Sequence, residues 1–279
     1  MTEQRILITG GYGLVGTALR AVVPRAACPS SAICDLRNAE AAFNLFRQLK
    51  PTHVFHLAAT VGGIGANMKN MGVFYENNIR INTNVLSAAR EMRVKKLVSL
   101  LSTCVYPNEP NLPLTESEIH DGPPHHSNFG YAYAKRMLDV QARAYRQQFG
   151  CNFISAVPNN IFGMNDNFDL EDSHVIPAII RKVFEAKKDK KEKVVFWGNG
   201  EPFREFTYAP DIATALLFLM ETYNGSEPIN IGNIKEYHIK EVVEKVCKIF
   251  NYKGEIAWDT GKPNGQFRKP SSNVKLKTL

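Results

Sequence analysis

Tyr131 and Lys135 stand four residues apart in the run Tyr131-Ala132-Tyr133-Ala134-Lys135. On a helix that spacing puts both side chains on one face, one turn apart. A free phenol, with a pKa of ~10, is a poor acid–base group at neutral pH. A neighbouring ammonium and a bound nicotinamide favour its ionised form, and bringing it to about 7 takes on the order of 4 kcal/mol. The pair can therefore exchange a proton with a carbonyl oxygen, and Lys135 can also bond a nicotinamide ribose. Ser102-Thr103-Cys104 adds a hydroxyl that can hold that oxygen. The Cys104 thiol, with an ordinary pKa near ~8.5, can remove and return protons in polar surroundings or sit inert in a core. His174, just before Val175-Ile176-Pro177, is either a helix N-cap or a proton carrier.

Alone, a Y-x-x-x-K spacing is common on surface helices. Its meaning depends on the elements around it, and these are ordered. Residues 5–9 read as a buried strand, and Gly10-Gly11-Tyr12-Gly13-Leu14-Val15-Gly16 then opens an apolar helix through Val23. Gly10, Gly13 and Gly16 thus form G-x-x-G-x-x-G between strand and helix. There, missing side chains let backbone amides approach a pyrophosphate, so the turn predicts dinucleotide binding. Asn38 caps a helix carrying Phe43, Phe46 and Leu49, and residues 53–59 form the next strand. A helix over 82–92 precedes a strand over 96–101, and a helix over 131–149, stopped by Gly150, precedes a strand over 151–157. This alternation predicts an α/β fold with a doubly wound parallel sheet, its ligands beyond the carboxyl ends of the strands. Ser102 and Cys104 follow such a strand end.

After Pro158 the pattern loosens into a helix over 175–186, short strands at 194–197 and 205–208, a helix over 211–223, a strand at 228–231 and a helix over 239–250. We read residues 1–160 as a Rossmann-like cofactor domain that also receives parts of 209–235, and 161–279 as a smaller, discontinuous substrate lobe. Asp35 lies where an acid reading the adenosine ribose is expected, although residues 24–33 leave little room for an ordinary second strand. An acid on both ribose hydroxyls implies NAD. Ser30, Ser31, Arg25 or Arg37 can instead take the extra phosphate of NADP, and spacing leaves that choice open.

The composition narrows the class. The 279 residues, 44% hydrophobic and 22% charged, are enough for a sizeable core without metal or disulfide, and no window has the apolar length of a membrane span. The short apolar run Ile6-Leu7-Ile8 ends too soon for a secretory signal, so a cytosolic protein with free thiols is expected; its five cysteines are odd in number and scattered. Much of the net charge of +7 sits in Lys187-Lys188-Asp189-Lys190-Lys191-Glu192-Lys193 and the C-terminal tail. Without aromatic interleaving or a nucleic-acid motif, that run reads as a solvated face.

Several stretches are unusual enough to carry a resemblance. They are the 10–16 turn, His56-Leu57-Ala58-Ala59 with Val61-Gly62-Gly63-Ile64, Leu101-Ser102-Thr103-Cys104-Val105-Tyr106-Pro107, Asn128 through Arg136, Asp166-Asn167-Phe168, Ser173 through Pro177, and Trp197-Gly198 through Arg204-Glu205-Phe206. Together they resemble the extended short-chain dehydrogenase/reductase superfamily and, within it, the GDP-L-fucose synthase family of 3,5-epimerase-4-reductases. The resemblance implies NADPH, a GDP-linked 4-keto-6-deoxy-mannose substrate and a homodimer. It implies proton transfer at sugar carbons 3 and 5 by Cys104 and His174, then reduction at carbon 4 with Ser102, Tyr131 and Lys135. Cofactor contacts are implied at Gly10, Gly11, Tyr12, Gly13, Leu14, Val15 and Gly16, at Asp35 and Leu36, and at Ala58 and Ala59. Further ones fall on Leu100, Leu101, Ser102 and Thr103, on Tyr131 and Lys135, on Pro158, Asn159, Asn160 and Ile161, and on His174. Substrate contacts are implied at Lys182, Trp197, Arg204 and Lys269, where cations can pair with a diphosphate and an indole can stack. Trp197 can otherwise be core, and Arg204 a surface ion pair. The family also implies a C-terminal helical segment beyond Leu279.

Two rival readings remain. Another nucleotide-sugar epimerase or 4,6-dehydratase of the superfamily would return the hydride to its substrate. The Ser102-Thr103-Cys104 order speaks against a dehydratase, whose pattern places an Asp-Glu pair near there. A non-catalytic nucleotide-sensing protein would bind the cofactor without turnover.

Overall fold

Branched apolar side chains in succession fit a strand buried on both faces. In the computed structural model, which describes residues 4–262 and 264–279, Ile6–Thr9 is that strand, β1. It feeds α1 (Leu14–Val22). Asn38 caps α2 (Ala39–Leu49), its side chain accepting the Ala41 N–H. There follow β2 (His53–His56), α3 (Ile64–Lys69), α4 (Met71–Glu91) and β3 (Lys96–Leu100). Next come α5 (Phe129–Phe149), closed by Gly150 in the left-handed region, and β4 (Phe153–Pro158). The later elements are β5 (Asn160–Phe162), α6 (Val175–Lys188), β6 (Lys193–Trp197), β7 (Phe203–Tyr208) and α7 (Ala209–Thr222). They continue with β8 (Ile229–Ile231), β9 (Glu236–His238), α8 (Ile239–Phe250), β10 (Glu255–Asp259) and α9 (Val274–Lys277).

The central sheet is parallel with order β1-β2-β3-β4-β8. One apolar core joins it to α1 and α7 through Val15, Leu19, Ile212 and Leu216; a second joins its other face to α2, α4 and α5 through Phe46, Val85, Leu86 and Leu138. Helices on both faces make it doubly wound. Residues 24–33 contribute only a single parallel bridge, Leu7 to Ala27, closed by Ile8 N–H to Ala27 O at 2.9 Å and Ala27 N–H to Ile6 O at 2.8 Å. The chain therefore leaves β1 toward Ala27 on one side and resumes at β2 on the other. The crevice at the end of β1 is a topological switch point, where such sheets bind ligands.

Two boundaries differ most from the pattern reading. The strand expected over 53–59 ends at His56, because Leu57 to Ala59 bend over the glycine turn: a Cβ on Gly10 would lie 2.7 Å from Ala58 N. The helix expected from Asn82 starts at Met71. Its first half holds Gly72, Asn77 and Asn78, poor helix formers. Tertiary bonds offset this: buried Asn78 accepts the Thr60 N–H at 3.0 Å and donates to Thr60 O at 2.9 Å and Phe74 O at 2.7 Å.

Beyond β4, two small sheets, β5-β7-β9 and β6-β10, surround a third core of Ile179, Val183, Phe196, Phe206, Val243 and Val246 from α6, β6, β7 and α8. The lysine-rich turn after α6 is exposed and pairs locally, Lys193 with Glu255 at 3.3 Å and Lys191 with Asp189 at 3.4 Å. Among the described residues, no helix is long and apolar enough to cross a membrane. All five cysteines are free thiols.

The segment before α9 is fastened by a buried carboxylate. Glu205 of β7 accepts the Ser271 N–H at 3.1 Å, the Ser271 hydroxyl, and the Asn159 amide at 3.2 Å. Glu205→Ala strands three donors in the interior. With each unmet group costing ~1–3 kcal/mol, partly relieved by water, we expect a loss of about 3 kcal/mol in urea unfolding.

Candidate active site

At the end of β3, Ser102 caps a short turn over Thr103–Val105, its oxygen accepting the Cys104 N–H at 3.3 Å. Tyr131 and Lys135 project from the first turns of α5, and the Tyr131 hydroxyl is hydrogen-bonded to Ser102. A buried chain sets the position of α5. Thr9 meets His56 Nδ1 at 2.8 Å, His56 Nε2 meets Asn82 Oδ1 at 3.1 Å, and the Asn82 amide donates to Ala134 O at 3.3 Å. Burial and the Lys135 charge push His56 down to about 3, so it is neutral.

Lys135 Nζ donates to Leu100 O at 2.7 Å and lies 5.9 Å from the centre of the Tyr131 ring. Burial brings its pKa down to about 8. Tyr131 is pushed upward by burial and by the Cys104 charge, against the Ser102 bond, which favours the phenolate. The reading of Tyr131 as drawn toward ionisation is thus reversed in the protein alone, since Lys135 aims its bond at Leu100. A phenol held protonated suits the reductive direction, in which it must give up a proton.

Cys104 accepts the Asn128 amide at 3.0 Å, and its charge, when ionised, favours the cationic forms of both Arg204 and Lys269. His174 stands at the N-cap position of α6, but its ring makes no cap bond. That leaves the ring to the cavity, where it is open while protein surrounds its other sides. Enclosure lowers its pKa, Asp166 raises it and Lys269 lowers it; the enclosure is felt in full only when a ligand fills the cavity.

Ser102, Cys104, Asn128, Tyr131, Lys135, His174, Arg204 and Lys269 line one cavity of about 1180 Å³, beyond the roughly 300–1,000 Å³ that suits one small ligand. One end holds Gly10 to Gly16, Asp35, Leu36, Ala58 and Ala59. The middle holds Leu100 to Cys104, Tyr131, Lys135 and Pro158 to Ile161, and the far end His174, Lys182, Trp197, Arg204 and Lys269. Ser30, Ser31 and Arg37 also line it, whereas Arg25 does not. Arg37 forks onto Asp35 with bonds of 2.9 and 2.7 Å, holding that carboxyl below its usual range and cancelling its charge. Trp197 is 49% exposed rather than core, with Lys182 and Lys262 at 5.9 and 5.5 Å from its ring. Arg204 is no surface ion pair: its Nη1 donates to Phe203 O at 2.6 Å, and burial brings its pKa down to about 10. Among the described residues, neither Arg204 nor Lys269 has a carboxylate within ion-pair distance, so this end suits an anion.

Asn128 and His125 are among the lining residues that escaped the sequence reading of the site. Asn128 stood inside a quoted motif, but only the folded turn brings it to Cys104. His125 accepts the Ser127 N–H on Nδ1 at 3.2 Å, which leaves Nε2 as its donor; its pKa is lowered by burial, then by His126, Lys269 and Arg204. Nothing in its spacing marked it.

The turn fits a dinucleotide. A Cβ on Gly16 would lie 2.1 Å from Gly10 O, so the protein itself requires glycine there, while a Cβ on Gly13 would meet only Gly10 O, at 3.5 Å. The need at Gly13 therefore comes from what lies on the turn, and as N-cap of α1 it leaves the helix amides free of any side-chain cap. We expect Gly13→Ala to melt like the parent yet bind NADPH at least about tenfold more weakly in a fluorescence titration, and Gly16→Ala to lose both fold stability and binding.

The description of the NAD dependent epimerase/dehydratase family matches residues 6–232. The chain belongs to this family. Similar relatives include GDP-L-fucose synthase of Dictyostelium discoideum, 42% identical over 100% of this chain and 89% of the relative. GDP-L-fucose synthase of Escherichia coli strain K12 is 34% identical over 100% and 91%. Among solved structures, a GDP-L-fucose synthetase from Naegleria fowleri bound to NADP superposes with a TM-score of 0.92 at 38% identity, over 100% of this chain and 88% of that one. The family match ends at Gly232, so Arg268 and Lys269 lie outside it and are reached by these longer alignments.

Proposed function

We propose that the chain converts GDP-4-keto-6-deoxy-D-mannose to GDP-L-fucose, inverting sugar carbons 3 and 5 and then reducing carbon 4. One observation carries this reading: a hydroxyl pair, Ser102 and Tyr131, shares a cavity with a second acid–base set, Cys104 and His174. A simple ketone reductase needs only the first. The carbon 4 ketone acidifies the protons on carbons 3 and 5; Cys104 removes each one, and His174 returns a proton to the opposite face of the enolate. Ser102 holds the carbon 4 oxygen and Tyr131 protonates it. NADPH, when bound, supplies the hydride to carbon 4. The relatives' names and the NADP-bound structure support this substrate and cofactor.

Residues 1–160, with 209–235 returning to them, serve the cofactor. There the 10–16 turn, Leu36, Ala58, Ala59, Leu100, Leu101, Thr103 and Pro158 to Ile161 hold the dinucleotide, beside the Arg37-neutralised Asp35. Residues 161–279 serve the sugar nucleotide, with Lys182, Arg204 and Lys269 on the diphosphate and Trp197 as a stacking face. The exposed apolar side chains Val73, Tyr75, Met137 and Val140 on α4 and α5 support pairing with a second copy. The free thiols support a reducing compartment, the cytoplasm.

The deciding experiment supplies GDP-4-keto-6-deoxy-D-mannose and NADPH and follows both cofactor oxidation and product stereochemistry. Equimolar NADPH loss with an L-fuco product is the expected result. A tightly held NAD and no net NADPH consumption would assign a 4-epimerase instead, and cofactor binding without turnover a sensing protein.

A further inference from the structure

The motif Asp166-Asn167-Phe168 is not used by the chemistry above, yet it builds the loop that delivers His174. Its polar side chains pass backbone bonds along the chain in sequence. Asp166 Oδ1 accepts the Asn167 N–H at 2.8 Å, Asn167 Oδ1 accepts the Asp169 N–H at 3.0 Å, and Asp169 Oδ1 accepts the Glu171 N–H at 2.8 Å. Ser173 N–H then closes on Asp169 O at 2.9 Å. From outside, the Gly63 N–H holds Asp172 O at 2.9 Å, and a Cβ on Gly63 would lie 2.5 Å from Ser173 O. The loop is thus seated on the Gly62-Gly63 turn, and His174 follows it directly.

In this arrangement only one oxygen of Asp166 is used. Its Oδ2 is buried without a hydrogen-bond partner among the described residues, while the side chain lines the same cavity as His174 and interacts with it electrostatically. An unmatched carboxylate oxygen is costly in an interior unless a charge partner repays it. The charged groups that bear on the His174 ring are Asp166 from its own loop and Lys269 from the segment before α9. Cys104 after β3 and Arg204 and Glu205 of β7 act on Lys269, and Lys182 lines the cavity farther along α6. Lys269 opposes a positive imidazole, and Asp166 alone among these favours one.

We propose that Asp166 is a positioning residue for His174, its carboxylate keeping the imidazole loaded with the proton it delivers. This rests on His174 being the proton donor of the epimerisation. Each inversion takes one proton from carbon through Cys104 and returns one to carbon from the imidazolium, which then reloads from solvent or from the thiol, so protons balance. Filling the cavity with a sugar nucleotide removes water from the ring and favours its neutral form. A fixed carboxylate counters that effect during the step that needs the cation.

The test uses the full chain and two charge-free variants that keep an acceptor for the Asn167 N–H, Asp166→Asn and Asp166→Ser. The His174 ring is followed by NMR titration, its signal identified by its loss in His174→Gln. Deuterium incorporation from solvent at sugar carbons 3 and 5 is measured against pH in parallel. An imidazolium donor works below its pKa and fails above it. Removing Asp166 lowers that pKa, so titration and the alkaline limb of exchange both move to lower pH by about one unit. Asn167→Ala, which removes the Asn167 bond to the Asp169 N–H but keeps the carboxylate, is expected to slow exchange evenly across pH with the limb in place. A charge-free variant that slows exchange without moving the titration would make Asp166 purely structural and overturn the proposal, as would one that changes neither. If His174→Gln exchanges at the parental rate, the assigned donor is wrong instead, an outcome the titration cannot mimic.

Discussion

Tyr131→Phe is expected to cut NADPH oxidation by about 10³-fold, within the 10²–10⁴ range for a positioned general acid. Deuterium incorporation at carbons 3 and 5 should persist at close to the parental rate. The reason lies in the different roles of the two sets. Tyr131 meets Ser102 at the end of β3, and phenylalanine removes only the hydroxyl that protonates the carbon 4 oxygen. The ring keeps its packing, so the melting temperature should hold. Lys135 gives the same step a pH signature. With its pKa brought down to about 8 by burial, the ammonium is present below that value and lost above it. The alkaline limb of kcat/KM for reduction, which reports the free enzyme, is accordingly expected near pH 8 rather than in the ordinary lysine range. A parental oxidation rate in Tyr131→Phe, measured at 340 nm, would remove Tyr131 from the chemistry.

Cys104→Ser is expected to do the reverse. A hydroxyl is a far weaker acid than a thiol, so it cannot supply the base that opens each inversion, and exchange at carbons 3 and 5 should fall by about 10²–10⁴-fold. The substitution is nearly isosteric, and the Asn128 amide that donates to Sγ at 3.0 Å can donate to a serine oxygen, so fold and cofactor binding should be kept. A 4-keto sugar already inverted at carbons 3 and 5 should still be reduced by this variant. Exchange at the parental rate, read by mass spectrometry, would sink the assignment of Cys104 as base. Together the two variants separate the halves of the reaction. A single pair of hydroxyl and lysine could not be divided in this way.

Several features were legible before folding because they are local. The G-x-x-G-x-x-G turn, the four-residue step from Tyr131 to Lys135, the Asn38 cap and the Gly150 stop each follow from backbone freedom or helical period over a few residues. Strand and helix alternation then requires crossovers, and crossovers require a parallel sheet with its ligands at the strand ends. What local rules missed was repaired by distant contacts. The first half of α4, poor in helix formers, is held by Asn78 clamping Thr60, and no window of sequence contains that bond.

Tyr131 and Lys135 show the same division. Sequence alone determined that Tyr131 and Lys135 share a helix face beside a dinucleotide turn, since both facts depend on spacing. Only the tertiary structure decided which way the phenol leans, because burial and the Leu100 carbonyl that draws Lys135 away belong to other elements. It also decided that His174 makes no cap bond and shares its cavity with Asp166, and that Arg204 and Lys269 line that cavity with no carboxylate at ion-pair distance among the described residues. Electrostatic roles of this kind depend on the surrounding dielectric and on charges far away in the chain or only a few residues off, and the fold alone sets those distances.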